Sequence, residues 1–428
     1  MENVTITPKK YIRGEIEPPG DKSISHRSVM LASLADGKSV IENFLDADDC
    51  LSTVNSFKSM GVDVNISEKF ITINGVGLNG LRSPKEPLYL GNSGTTMRLL
   101  SGILSAQNFE TILMGDESLQ SRPMDRIIKP LGLMGASIKG NGKRQTAPLT
   151  IMGSKLHGIE FEEVYGSAQV KSSILLAGMY ADGKTIVHET KISRDHTERM
   201  LKLFNAPFKK ENNICTIKTT EYLNAKSFLI PGDISSASFF IVAAILLKNS
   251  ELIVKNVGLN PTRLGFITVL KKMGANIDIR IKNDDFEPTG NIIARSSSLK
   301  GIKIEKSIIP LLIDELPIIM VAASYAEGET VIQGAQELRV KETDRIKSMS
   351  EGLNSIGAKT KETEDGLIIQ GCSKTKGKAS VDSYDDHRTA MSLAIAALNS
   401  DDEVNISNTR CVSISYPKFF ETLKLLSE

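Results

Sequence analysis

Apolar residues recur at helical spacing and then give way to strand-like alternation at five places along the chain. Met60-Gly61-Val62-Asp63-Val64, Met134-Gly135-Ala136-Ser137-Ile138, Met273-Gly274-Ala275-Asn276-Ile277 and Ile356-Gly357-Ala358-Lys359 each set a glycine between the last apolar residue of a helical pattern and the strand that follows. A weaker copy over 201–208 has Asn205 in that place, the other residue that tolerates the left-handed conformation of a helix end. The marks at 61, 135, 205, 274 and 357 lie about 70 residues apart, the signature of an internal repeat. Each unit reads as strand, helix, strand, helix, then hairpin, an α/β pattern whose parallel strands need crossover helices. A sixth unit is cut short. Its helix, 417–426, closes the chain before any strand can follow, so the N-terminal segment 4–16 is expected to supply the missing strands and bring the termini together.

At 428 residues the chain exceeds what one hydrophobic core usually supports, and 40% hydrophobic content lets two cores pack. Three repeats per domain is the simplest division. The turn-rich Gly20-Asp21 and Pro231-Gly232 then mark the crossings, giving one domain over 21–230, another over 1–20 plus 231–428, a hinge of two connections, and a catalytic site split across a closing cleft. The expected class is α/β, with three βαβαββ repeats in each domain and a pseudo-sixfold repeat overall.

Charge and composition narrow the ligands. Lys+Arg 52 against Asp+Glu 51 leaves a net +1, which argues against a general binder of nucleic acid or membrane surfaces. Aromatic content of 5% with no Trp supplies no stacking platforms among the basic clusters. The longest apolar run, near 239–247, is far short of the ~20 residues that span a bilayer and reads as a buried helix. Residues 1–7 read as a strand and lack the regions of a signal peptide, so the expected location is the cytoplasm. Cys50, Cys215, Cys372 and Cys411 form no C-x-x-C pair and the five histidines no H-E-x-x-H, so neither a disulfide framework nor a structural metal is expected.

The cations are local, and they sit at helix starts. Leu338-Arg339-Val340-Lys341-Glu342-Thr343-Asp344-Arg345 precedes a helical pattern of Ile346, Met349, Leu353 and Ile356. Pro19-Gly20-Asp21-Lys22-Ser23-Ile24-Ser25-His26-Arg27 runs from a turn into an apolar segment, and Gly91-Asn92-Ser93-Gly94-Thr95-Thr96-Met97-Arg98 joins a strand end to another through small residues. Arg122 in Ser121-Arg122-Pro123-Met124 and Arg388 in Asp386-His387-Arg388 stand at two further openings. For any one of these arginines a surface ion pair is explanation enough. Five together point elsewhere, because cations avoid the positive end of a helix unless an anion is bound there. Two familiar signals fail: Gly75-Val76-Gly77-Leu78-Asn79-Gly80 matches G-x-G-x-x-G, but Pro84 and Pro87 stand where a helix should begin, so it reads as a hairpin turn; Gly20-Asp21-Lys22-Ser23 lacks P-loop spacing.

With these motifs in place, and with Ser167-Ala168-Gln169-Val170-Lys171-Ser172 and Asp314-Glu315-Leu316-Pro317 in the same order, the chain resembles the 5-enolpyruvylshikimate-3-phosphate synthase family along essentially its whole length. The resemblance implies the two-domain enolpyruvyl transferase fold, an inside-out α/β barrel in each domain. It also implies transfer of the enolpyruvyl group of phosphoenolpyruvate to the 5-hydroxyl of shikimate 3-phosphate with release of phosphate, by addition and elimination through a tetrahedral intermediate. No metal or organic cofactor is implied, and a monomer is expected. Position by position, Lys22, Ser23, Arg27, Ser167, Ala168, Gln169, Ser193, Asp314 and Lys341 would hold shikimate 3-phosphate. Lys22, Gly94, Arg122, Gln169, Arg345 and Arg388 would surround phosphoenolpyruvate, the arginines in bidentate fashion. The substrates together bring about five to six negative charges, counting ~1.5 to 2 per phosphate, which these cations with Arg98 balance. Asp314 is the expected base. Glu342 and Lys22 are both candidates for the proton donor, and Glu342, a carboxylate among cations, would need desolvation to serve.

Glu337 and Ile414 stand where the best-known members have Asn and Lys; with Ser167-Ala168-Gln169 and Ser193-Arg194-Asp195-His196 they resemble the class II branch, which includes glyphosate-tolerant enzymes, although Gly94 keeps the small residue of sensitive ones. Two other readings compete. A UDP-N-acetylglucosamine enolpyruvyl transferase shares the architecture, but begins with Lys-Asn rather than Lys22-Ser23 and carries a cysteine in the loop that here spans 118–122. A non-catalytic phosphosugar-binding protein would gain nothing from Asp314 and Glu342 among its anion ligands.

Overall fold

The computed structural model describes residues 2–68 and 70–428, so Met1, at the head of the expected N-terminal strand, lies outside it. The chain divides into two compact units, 20–230 and 1–19 with 231–428. Among the described residues, each unit contains three helices buried on nearly every side, with small and polar residues buried beside the apolar ones. In 20–230 these are Lys22–Leu34, Gly94–Leu104 and Ala168–Gly178. In the other unit they are Ile234–Leu246, Leu316–Ser324 and His387–Ala397. The apolar run near 239–247 thus forms one of these inner helices, and among the described residues no helix is long and apolar enough to cross a membrane.

Five four-stranded sheets repeat one topology: a parallel edge pair, then two antiparallel pairings. Leu88–Tyr89, Glu110–Met114, Thr146–Met152 and Ser137–Asn141 show it plainly, in that spatial order. The helix–strand changeovers behave alike as well. Gly61, Gly135, Asn205, Gly274 and Gly357 all have positive φ, between 61° and 102°. Each closes its helix with the same backbone pair, exemplified by Val62 N donating to Phe57 O and Gly61 N to Lys58 O, both at 3.0 Å.

Two expectations need correction. The N-terminal segment does not complete the sixth repeat alone: Val4–Ile6 pairs with Val404–Ser407, but Arg13–Ile16 lies parallel to Glu251–Gly258 in the fourth repeat's sheet. Residues 77–80 form a turn rather than a hairpin, because the strand Phe70–Val76 is already the inner partner of Asp63–Ile66 and the chain leaves for the next sheet. The termini do meet, Thr409 N donating to Glu2 O and Tyr11 Oη to Glu428 O.

Candidate active site

In the unit 20–230, the expected residues gather at the first turns of the three inner helices. Each turn is capped by a side chain that takes an otherwise unpaired backbone N–H: Asp21 from Ile24 at 2.9 Å, Ser93 from Thr96 at 3.2 Å, Ser167 from Val170 at 3.3 Å. Lys22 Nζ lies 2.5 Å from Asp49 Oδ2. Arg27 is buried and fully directed, donating through Nε to Thr197 Oγ1 (2.6 Å), through Nη2 to Ser172 Oγ (3.1 Å) and through Nη1 to Ser23 O (2.9 Å). Gln169 joins two helix starts, its Oε1 accepting from Arg98 Nη1 at 2.8 Å and its Nε2 donating to Thr95 Oγ1 at 3.1 Å.

Arg122 follows the short helix Glu117–Ser121 and donates to Asn92 O (3.3 Å), to Asn92 Oδ1 and to Ser118 Oγ (3.1 Å). Gly94 lets two guanidinium groups approach one backbone: a Cβ there would stand 2.7 Å from Arg98 Nη1 and 3.1 Å from Arg122 Nη1. Ser193 is turned inward, its N and Oγ both donating to Glu189 Oε1 at 3.2 and 2.8 Å.

In the other unit, Asp314 is the hub. Its Oδ1 lies 3.4 Å from Lys341 Nζ and 3.6 Å from Arg345 Nη1, and its carbonyl accepts from Arg388 Nη1 at 2.8 Å. Arg345 is 1% exposed, with Nε 2.7 Å from Asp386 Oδ2 and Nη2 2.6 Å from Glu342 Oε2. Burial alone would lower the guanidinium pKa; Asp386, Glu342 and Asp314 more than reverse that, so the charge is permanent. Asp386 also caps its helix, accepting from Arg388 N at 2.8 Å and Thr389 N at 3.2 Å.

Three of these supports escaped sequence reasoning. Asp49 and Asp386 are legible only as helix-start carboxylates, and Lys171 enters the sequence only as part of Ser167-Ala168-Gln169-Val170-Lys171-Ser172, with no role given. Glu189, Glu198 and Cys215 offer ligand atoms within 4.8 Å of one another, but Lys171 Nζ lies 2.6 Å from each carboxylate and takes the place of a cation.

The chain matches one family model, EPSP synthase (3-phosphoshikimate 1-carboxyvinyltransferase), over residues 6–423, which takes in the cation-bearing helix starts and the carboxylate held between Lys341 and Arg345. The chain belongs to the EPSP synthase family. A 3-phosphoshikimate 1-carboxyvinyltransferase of Thermodesulfovibrio yellowstonii is 50% identical over 430 residues, covering 100% of both chains, and one of Geotalea daltonii is 47% identical over 425 residues, covering 99% of both. The solved EPSP synthase of Acinetobacter baumannii superposes with a TM-score of 0.87 at 43% identity, covering 100% of this chain and 98% of its own. The enolpyruvyl transferase NikO of Streptomyces tendae gives 0.79 at 16% identity over 99% of this chain and 97% of its own, a likeness of fold alone. As an EPSP synthase family member the chain is a transferase of the shikimate pathway, moving the enolpyruvyl group of phosphoenolpyruvate to shikimate 3-phosphate.

Proposed function

We propose that Asp314 takes the proton from the 5-hydroxyl of shikimate 3-phosphate as that oxygen attacks C2 of phosphoenolpyruvate, while Lys22 or Glu342 protonates the methylene carbon. The observation that carries this is the set of contacts on Asp314: Lys341 and Arg345 orient its carboxylate and Arg388 fixes its backbone, which holds a candidate base in place among cations that can take up the anionic substrates. Lys22, Ser23, Arg27, Ser167, Ala168, Gln169 and Lys341 serve shikimate 3-phosphate, with Ser193 joining once its hydroxyl turns from Glu189. Arg122, Arg345 and Arg388, with Lys22, Gly94 and Gln169, serve phosphoenolpyruvate, and their charges stabilise the phosphate as it departs from the tetrahedral intermediate while the methyl carbon gives a proton back to the group that protonated it. The enzyme acts as a cytoplasmic monomer on these two small molecules.

Phosphate release on mixing the two substrates tests the activity, and UDP-N-acetylglucosamine in place of shikimate 3-phosphate should give none. Binding by both units is tested by limited proteolysis: shikimate 3-phosphate alone should protect each, and protection of neither would refute it.

A further inference from the structure

The third inner helix of the unit 20–230 carries a lysine without solvent exposure. Lys171 Nζ lies 2.6 Å from both Glu189 Oε1 and Glu198 Oε1. Lys210 completes the group at 2.8 Å from Glu189 Oε2 and 3.5 Å from Glu198 Oε1. One fully buried cation and one partly exposed one, Lys210, therefore meet two buried carboxylates. Burial, then Glu198, pushes the Cys215 thiol up to about 12, so it stays neutral and points at Glu198 Oε1 from 3.9 Å. Apolar residues of the same volume would often stabilise such a place as well or better, so the ion group asks for a role beyond stability.

What it grips supplies one. Glu189 Oε1, besides meeting Lys171, accepts both donors of Ser193. Ser172 and Thr197, the chain neighbours of Lys171 and Glu198, bond to each other at 2.6 Å and both accept from Arg27. Lys171 N donates to Ser167 O at 3.1 Å, one turn from the cap of the same helix. Ser167 and Ser193 thus stand on segments that the buried Lys171–Glu189 pair joins, and the side chain of Arg27 is held by Ser172 and Thr197 beside that group.

We infer that Lys171 and Glu189 are positioning residues for the phosphorylated acceptor, holding Arg27, Ser167 and Ser193 in register; this rests on the assignment of those three to shikimate 3-phosphate. Neither touches substrate. Their loss misplaces ligands for one substrate and leaves the arginines around the other where they were.

The test takes the full-length Lys171→Met and the isosteric Glu189→Gln variants through thermal melts and steady-state phosphate release, each substrate varied separately. The KM for shikimate 3-phosphate should rise roughly 10- to 100-fold, as ångström-scale misplacement does, with that for phosphoenolpyruvate changing about twofold at most. In Lys171→Met the groups left facing one another are Glu189, Glu198, Lys210 and Cys215, with Glu163 on the adjoining strand. Two carboxylates then share one ammonium, and one takes up a proton on acidification. The excess KM over wild type should therefore shrink as the pH is lowered, which lost packing alone would not produce. A folded Glu189→Gln enzyme with wild-type KM for shikimate 3-phosphate, or equal rises for both substrates, overturns the inference, and Glu189→Gln decides if Lys171→Met does not fold. Wild-type turnover beside unaffected variants sinks this inference alone; absence of wild-type turnover sinks the functional reading beneath it.

Discussion

Replacing Gly94 by alanine adds one methyl group where two guanidinium groups converge. The new Cβ would stand 2.7 Å from Arg98 Nη1 and 3.1 Å from Arg122 Nη1, against the 3.4 Å at which ordinary contact begins. Arg98 must therefore retreat by about 0.7 Å and Arg122 by about 0.3 Å. Both are tips of flexible side chains, and Gly94 is the first residue of its helix, so stability should hardly change. Function should change a good deal. Arg98 orients Gln169 and Arg122 is a proposed phosphoenolpyruvate ligand, and since a misplacement near 1 Å costs about 10²-fold, the KM for phosphoenolpyruvate should rise roughly 10- to 100-fold. Inhibition by glyphosate should weaken in parallel if it occupies the same cations. The assay is phosphate release at saturating shikimate 3-phosphate, with a melting curve as the control. An unchanged KM for phosphoenolpyruvate in a folded Gly94→Ala enzyme would refute the reasoning, as would an equal rise for the other substrate.

Asp314→Asn should keep shikimate 3-phosphate binding in calorimetry yet lose about 10²–10⁴ in turnover, the usual worth of a general base; unchanged turnover disposes of the role. Arg345→Met strands Asp386, Glu342 and Asp314 without their shared cation and should cost ~3–5 kcal/mol in urea unfolding. Gly274→Ala, at φ 102°, should cost roughly 1–2 kcal/mol, whereas Asn205→Gly at φ 61° should be close to neutral. Acid titration offers a further check. Burial alone would raise the Glu189 carboxyl; Lys171 and Lys210 more than reverse that, so its folded pKa lies below 4.5. Its contribution to stability is therefore complete well above pH 4.5 and lost as the pH falls through the lower folded value, and Glu189→Gln should remove that part of the acid transition.

The repeat was legible because what ends a helix is local: a left-handed residue is needed, and only Gly or Asn supplies it cheaply, so five marks gave five helix ends. Strand partners were not. Segments 4–6 and 13–16 are both short and extended, and nothing in either says that one belongs beside 404–407 and the other beside 251–258. Cations at helix starts could be read from spacing alone, since position in the first turn follows from the apolar period. The inward turn of Ser193 could not, because it depends on Glu189, which is held in turn by Lys171 on another element.

The division of strands also bears on how the protein is made. The unit 20–230 is one unbroken stretch, and its last strand, Phe228–Leu229, lies against Ile41 and Glu42, so it can close while the ribosome is still reading the second half. Arg13–Ile16 precedes that unit but waits for Glu251–Gly258, and Val4–Ile6 waits for Val404–Ser407, both beyond it in the chain. The segment 4–16 therefore stays without its strand partners until residues well beyond the unit 20–230 have been made.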